Sequence, residues 1–369
     1  EIIQYVAEAR FWRAFSYDKL YHLFGTVPLV TGSQDIKNGI ARASQEEMES
    51  FIETELADVE KVLPETYSST DYGRPTSWAV KATLARYYLN KKDWKKASIY
   101  AKEIIDKGGF NLVDYQDIFS KNQNDEVILA INHIAEANHG NKYVALVLEA
   151  SIRDALGITG VSASNGYGMA VPFFRTFDPD DKRITPYNPA TGKGIAVSGI
   201  VYKSDGTPVY GTPEEPKSVE EQLSRILTFK WEVQTNIPLG EDASLNVPAL
   251  RLGEVMLTYA EAENELGHLE EAKTYVDKIR SRAGLENLPA NMASMRDAIL
   301  DERGWELYHE GYRREDLVRH GKLLEKVNEK YHYYFGKDMP WKNNNDRILQ
   351  PIPTNALLLN PLLKQNPGY

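Results

Sequence analysis

The sequence predicts a mainly α-helical fold: stacked helix pairs that carry a long, loop-rich, variable subdomain. Three observations predict it. Apolar residues recur three and four apart over Ala7–Phe24. Two helix–turn–helix stretches, Ser77–Ile105 and Glu254–Arg282, repeat the same layout, with small Ala residues where the helices cross. Between them, from Gly140 to about Leu250, the helical period is lost and Gly, Pro, Ser, Thr, Asn and Tyr take over.

In order, Ala7–Val30 is the first element. Val6, Ala9, Arg13, Tyr17, Leu20 and Phe24 share one helix face, and Phe11, Phe15 and Leu23 widen it. A helix so nearly apolar all round is expected to be central, with other helices packed on several sides. Gly25 suits its C-cap, and Pro28 keeps the chain from resuming the helix. Ser44 with Glu47 forms a capping box that opens a second helix, ending before Pro64. Ser77 is the expected cap of the third helix. In the first pair Trp94, Ala97, Tyr100 and Ile104 fall where Leu269, Ala272, Tyr275 and Ile279 fall in the second. Such tetratricopeptide-like pairs use small residues so that two helices can approach closely. The apolar run Val127–Ile131 reads as an extended segment. Helix returns over Met292–Arg319. The last residues, from Leu349 to Tyr369, hold prolines at 351, 353, 361 and 367 and are expected to form an extended strap without helix. The chain reads as one domain over 1–369, in three stretches: a helical half at 1–139, a variable insert at 140–250, and a helical return with its strap at 251–369.

Composition narrows the function. A formal net charge of −10 without a basic patch argues against nucleic acid as a partner. No apolar run approaches the ~20 residues of a membrane-spanning helix. With no cysteine there is no disulfide and no thiolate metal site. The seven histidines show no zinc spacing, and there is no nucleophile elbow and no phosphate loop. No cofactor and no metal are expected. The segment Phe177–Arg183, with its aspartates at 178, 180 and 181, lacks the glycine and terminal Glu of a calcium loop and reads as a solvated turn.

Aromatic side chains make up 11% of the chain, and their placement in loops is what matters. A flat ring suits the C–H face of a sugar, while amides and charged groups suit its hydroxyl edge. Tyr87, Tyr88, Tyr100 and Tyr275 keep the helical period and are read as packing. The loop aromatics Tyr67, Tyr72, Tyr167, Phe173, Phe174, Tyr202, Tyr210, Trp231 and Trp341 are the ligand-facing candidates. Trp341 stands beside Asn343, Asn344 and Asn345. The site expected from residue types is therefore Trp341, Trp231, Tyr72, Tyr167, Tyr202 and Asn343. The carboxylates Glu302, Glu306 and Glu310 lie four apart but among Arg303, Arg313, Arg314 and Arg319, the pattern of a structural ion network rather than a catalytic pair.

Four segments together resemble the SusD/RagB family. They are AEARFWRAFSYDKLYHLFGTVPLV at 7–30, RLGEVMLTYAEAENELG at 251–267, LDERGWELYHEGYRREDLVRHGKL at 300–323 and PIPTNALLLNPLLKQNPGY at 351–369. Thr26 and His320 replace a Gly and a Trp common in the family. The resemblance implies a non-enzymatic, cell-surface protein of the outer membrane. Such a protein binds oligosaccharide, is held by an N-terminal lipid anchor, and delivers its ligand to a SusC-like TonB-dependent transporter. It also implies a signal peptide, an anchoring Cys and a further N-terminal portion ahead of Glu1, whose surroundings read as mid-helix. Glycan-binding positions are not fixed in the family, so none carries over by motif. A protein- or peptide-binding helical scaffold and, third, a glycoside hydrolase stay open as alternatives.

Overall fold

The structure, a computed structural model, describes residues 1–32, 38–136, 139–148, 150–155, 162–164, 166–184, 201–202, 208–210, 226, 228–232, 234, 243–289 and 294–369. Its first half is four helices: α1 (Ile2–Phe24), α2 (Gln45–Glu60), α3 (Ser77–Lys91) and α4 (Trp94–Lys107). The expected capping box is present: the Ser44 hydroxyl accepts from the Glu47 N–H, and the Glu47 carboxylate accepts from the Ser44 N–H. Ser44→Ala removes one of these two bonds and is expected to lower stability by about 1 kcal/mol in urea unfolding. The third helix is capped by Thr76, whose hydroxyl accepts from Ala79 N–H, so Ser77 is its first helical residue instead of its cap. Gly25, at φ 72°, ends α1 as its sequence suggests.

Strand β1 (Val127–Ile131) pairs antiparallel with a strand at Val247–Arg251, setting Val127 opposite Arg251 and Ile131 opposite Val247. Among the described residues between the two strands are three short α-helices, α5 (Tyr143–Val147), α6 (Ala150–Ala155) and α7 (Val171–Phe174), and a small ribbon of β2 (Val201–Tyr202) with β3 (Pro208–Tyr210). The strand at Val247–Arg251, β4, runs directly into α8 (Leu252–Glu265), followed by α9 (Leu269–Arg282), α10 (Met295–Glu306), α11 (Arg313–Arg319), α12 (Leu323–Phe335) and α13 (Thr354–Leu359).

Successive helices pack side by side. Helix α1 lies on α2, α2 on α3, α3 on α4, α4 on α8, α8 on α9, and α10 closes against both α8 and α9. The centre of this row differs from the sequence expectation. Helix α1 buries only Ala7, Phe11, Ala14 and Asp18, while Val6, Leu20 and Leu23 are exposed. The central helices are α8, buried from Leu252 through Glu263, and α3, buried from Ser77 through Leu89 except at Lys81. Their mixture of Ala, Gly, Ser and Thr lets neighbours approach on every side, whereas the rings of α1 need room and fill one stripe.

Three further differences have simple causes. The expected helix from Met292 begins at Met295 and breaks after Glu306; Met292 itself lies outside the described residues. The break is a turn in which His309 and Gly311 both have positive φ. The C-terminal strap holds a short helix, α13, because Pro351 and Pro353 precede it and Pro361 follows it, leaving six residues free to coil. The strap is tied to the end of α1: the buried Asn366 amide donates to Phe24 O (3.0 Å) and Gln350 O (2.7 Å), and its oxygen accepts from Arg42 (2.7 Å). The run at 178–181 is a solvated turn only at Asp178 and Asp180. Asp181 and Arg183 are buried together: Arg183 is drawn in by Glu302 and Glu306 of a distant helix, and Asp181 pairs with Arg183.

Two apolar cores result. The first fills the helical row. The second gathers Tyr115, Ile118, Phe119, Met169, Val171, Phe177, Ile226, Trp231 and Leu245, with Trp305, Tyr308 and Tyr333 packed against it.

Candidate functional site

A buried ion network joins the two cores. Arg251, at the end of β4, donates to Glu126 (2.8 Å), to Glu306 (2.6 Å) and with two nitrogens to Glu310 (2.7 Å each). Arg282 bridges Glu126 and Glu306, and Arg183 bridges Asp181, Glu302 and Glu306. Lys230 meets Glu310 at 2.6 Å and Arg280 meets Glu302 at 3.2 Å. Among the described residues the five cations Arg183, Lys230, Arg251, Arg280 and Arg282 match the five carboxylates Glu126, Asp181, Glu302, Glu306 and Glu310. Charge balance with near-complete hydrogen bonding is what lets such a cluster be buried.

Burial opposes ionisation of Glu306, yet the guanidiniums of Arg282, Arg251 and Arg183 outweigh it and hold its carboxyl well below the usual range. Burial wins at Glu302 and raises it, although Arg183 pulls the other way. Neither carboxylate reaches solvent. The geometry is that of a structural joint, and a glycosidic oxygen has no approach to it.

At the edge of the second core the network supports an aromatic surface. Asn141 fixes its base: its N–H donates to Ala243 O (2.6 Å), its amide donates to Leu245 O (3.0 Å), and its amide oxygen accepts from Tyr143 N–H (2.8 Å). The Tyr143 ring then packs 4.3 Å from the Trp231 ring, and its hydroxyl meets that of Thr228 at 3.0 Å. His309, at φ 64°, presents its imidazole to Tyr308 (5.1 Å, stacked), to Tyr143 (4.9 Å, edge-on) and to Tyr167 (6.0 Å, edge-on). Tyr167 is held by its N–H to Leu146 O (3.1 Å) and stands at the rim, 54% exposed. Burial, helped by the Lys230 cation, pushes His309 down to about 4, so its ring is neutral at physiological pH. The surface is therefore made of neutral rings set edge to face, with ring nitrogens and hydroxyls among them.

Of the residues expected from sequence, this brings two together. Tyr167 forms the rim and Trp231 the foundation; at 4% exposure, with its N–H spent on Asn246 O, Trp231 supports the surface from beneath and offers no open face. Phe173 and Phe174 pack against the second core. Trp341 and Asn343 lie elsewhere, beside a groove of about 740 Å³ lined by Leu323, Leu324, Asn328, Lys342, Asn343 and Asn345. Trp341 is 38% exposed, and the Arg347 guanidinium lies 5.9 Å from its ring and 4.2 Å from that of Tyr369. Tyr72 sits apart from both, between α2 and α3, with its hydroxyl pushed up to about 12 by burial. Tyr202 falls in β2, and its side chain, like that of Tyr210, lies outside the described residues. Tyr67 is engaged with Glu8, Gln4 and Arg74. Sequence reasoning missed Tyr143 and His309. The only hint was a His between Tyr308 and Glu310 in a segment otherwise read as helix. Among the described residues no group of three or more His, Asp or Glu is placed to hold a metal, and no helix is long and apolar enough to cross a membrane.

Comparison with known proteins adds a second line. Residues 195–369 match the model of the SusD family, and residues 1–89 match a model described as starch-binding associating with outer membrane. Together these cover well over half of the chain. The chain is 29% identical to SusD-like protein P2 of Formosa agariphila, over 98% of this chain and 74% of that one. It is 24% identical to the starch-binding protein SusD of Bacteroides thetaiotaomicron, over the whole of this chain and 73% of that one. A solved SusD homolog from Bacteroides thetaiotaomicron superposes with a TM-score of 0.79 at 22% identity, covering 99% of this chain and 79% of that chain. Matches at both ends, curated relatives along the full length and a shared helical fold agree: the chain belongs to the SusD family.

Proposed function

We propose that this protein binds an oligosaccharide at the outer face of the outer membrane and passes it, chemically unaltered, to a SusC-like TonB-dependent transporter. The observation that carries the reading is the Tyr167–His309–Tyr143 surface: neutral rings at the open edge of a rigid core. A sugar ring lays its C–H face on such a surface and satisfies its hydroxyls at the edges. Family membership supports glycan as the ligand class, and the sealed carboxylates support binding without turnover. A lipid anchor on an N-terminal portion would hold the protein at the membrane. A micromolar site, about −8 kcal/mol, is strong enough to collect ligand and weak enough to release it.

Calorimetry against a panel of oligosaccharides, beginning with maltoheptaose as a starch fragment, tests this. Wild type is expected to bind at least one member, with Tyr167→Ala weakening it about tenfold through lost stacking. Trp341→Ala, next to the groove that Lys342 and Asn343 line, is expected to have the smaller effect. A larger loss at Trp341 than at Tyr167 moves the site to that groove. No glycan binding at all, or release of new reducing ends, overturns the proposal.

A further inference from the structure

Lys230 is a buried cation that lies beneath the aromatic surface and would not itself touch a ligand there. Its ammonium donates to the carbonyl of Tyr308 (2.5 Å) and to the Glu310 carboxylate (2.6 Å), with the Glu306 carbonyl at 3.5 Å. It lies over the rings of Phe119 (4.6 Å) and Tyr115 (5.4 Å). The turn it grips is the one that breaks α10 from α11. Within that turn His309 is one of two non-glycine residues with positive φ among the described residues, the other being Lys92 at a helix end. Positive φ on a residue with a side chain costs of order 1 kcal/mol or more and persists only where the surroundings enforce it. Lys230 binds the carbonyl just before His309 and the carboxylate just after it, so it brackets the strained residue. The next residue in the chain, Trp231, packs directly under Tyr143. One short segment thus supports both neighbours of the imidazole.

We propose that Lys230 is the positioning residue of the saccharide surface: by clamping Tyr308 and Glu310 it holds His309 in its left-handed turn, ring between Tyr143 and Tyr167. This rests on the function proposed above for that surface. The charged groups facing Lys230 are Glu306 and Glu310 from the turn side and Arg251 from β4; the neutral titratable groups near it are His309 and Tyr115, whose ring lies beneath. Burial pulls Lys230 down to about 8, against the pull of Glu310, so it is mainly protonated at pH 7.

The test compares wild type, Lys230→Met and Lys230→Arg. Maltoheptaose affinity is measured by calorimetry, His309 titration by the imidazole C–H resonance, and amide exchange is followed over 307–312. Lys230→Met is expected to weaken binding about tenfold or more. It should also raise the His309 titration midpoint, since the repelling charge is gone, and speed exchange in the turn. Lys230→Arg keeps a cation and donors, so it should leave His309 titrating low; it also supplies the test if the Met variant does not fold. The titration reports loss of the nearby charge, and faster exchange confined to 307–312, with exchange in α3 unchanged, reports loss of the clamp; a general loss of stability would speed exchange in both regions. Unchanged titration and unchanged turn exchange in Lys230→Met overturn the proposal. If wild type fails to bind maltoheptaose, that result counts against the functional reading for starch fragments, and the positioning role is decided by the titration and exchange alone.

Discussion

Arg251→Met should lower the free energy of unfolding by about 3–5 kcal/mol, the range for removing one partner from a buried ion cluster. The side chain is wholly buried and serves three carboxylates at once, those of Glu126, Glu306 and Glu310. Methionine fills comparable length without charge and leaves excess negative charge in a dry site. Arg282 and Lys230 remain nearby but already have their own bonds to Glu126, Glu306 and Glu310. Chemical unfolding of both proteins measures the difference. Its pH dependence has a definite sign. In wild type Glu306 and Glu310 are held low despite burial, by Arg251 and other cations, so their contribution is present above the ordinary carboxylate pKa and is lost as pH falls through their depressed values. In the variant these carboxyls rise and take up protons sooner. The gap between the two proteins should be widest at neutral pH and narrow as the solution becomes acidic. A gap that stays constant with pH would show that lost packing, rather than uncompensated charge, is the cause.

Arg183→Met is expected to act more locally and almost as strongly. Arg183 belongs to the stretch between the two strands of the β1–β4 pair, and its guanidinium reaches Asp181 (2.7 Å), Glu302 (2.6 Å) and Glu306 (3.1 Å). It thereby pins the segment that carries Phe177 and Val171 to helix α10. Removing it leaves Glu302, already raised by burial, with the Arg280 contact at 3.2 Å as its remaining ion pair among the described residues. The second core should loosen by about 3 kcal/mol while the helical row keeps its protection. Hydrogen exchange resolved by peptide would show faster exchange around 169–184 and 226–232 and unchanged exchange in α3 and α8. Uniform acceleration across both regions would mean that the two cores unfold as one unit. Because Arg183 and Arg251 share Glu306, their effects should not add, and the double variant measures that coupling.

Much of the helical row could be read directly. Ser44 and Glu47 announced the start of α2, Gly25 the end of α1, and the Ala-rich faces of α3 and α8 their close packing, because each of these is a local rule with a period or a fixed offset. The ion-pair reading of Glu302–Arg319 was legible as a type of interaction, because arginines share the segment with the carboxylates. The partners differ: Arg303 and Arg319 pair with Asp316, and Arg319 also with Glu261, while Glu302, Glu306 and Glu310 are met by Arg183, Lys230, Arg251, Arg280 and Arg282. The sequence near the carboxylates could not supply those partners. Arg183, Lys230 and Glu126 come from three other segments, and nothing near them in sequence marks their distant partners. The misreading of Asp181 as solvated has a related origin: its cation, Arg183, is only two residues away, but that cation is itself buried because Glu302 and Glu306 claim it from a distant helix. Trp231 shows the converse, an aromatic in an irregular segment whose burial depends on Tyr143 and Phe119 arriving from elsewhere.

The sequence by itself determined the family and the helical class, since these rest on motifs, periodicity and caps that act within a few turns of chain. Only the tertiary structure decided which helices lie at the centre, that the stretch between the β1–β4 strands is bolted to the frame by buried charges, and that Tyr143, Tyr167 and His309 form one surface. Those outcomes depend on pairings across more than a hundred residues. Electrostatic and ring contacts of that range are chosen by whichever groups the fold brings together, and leave no local pattern to read.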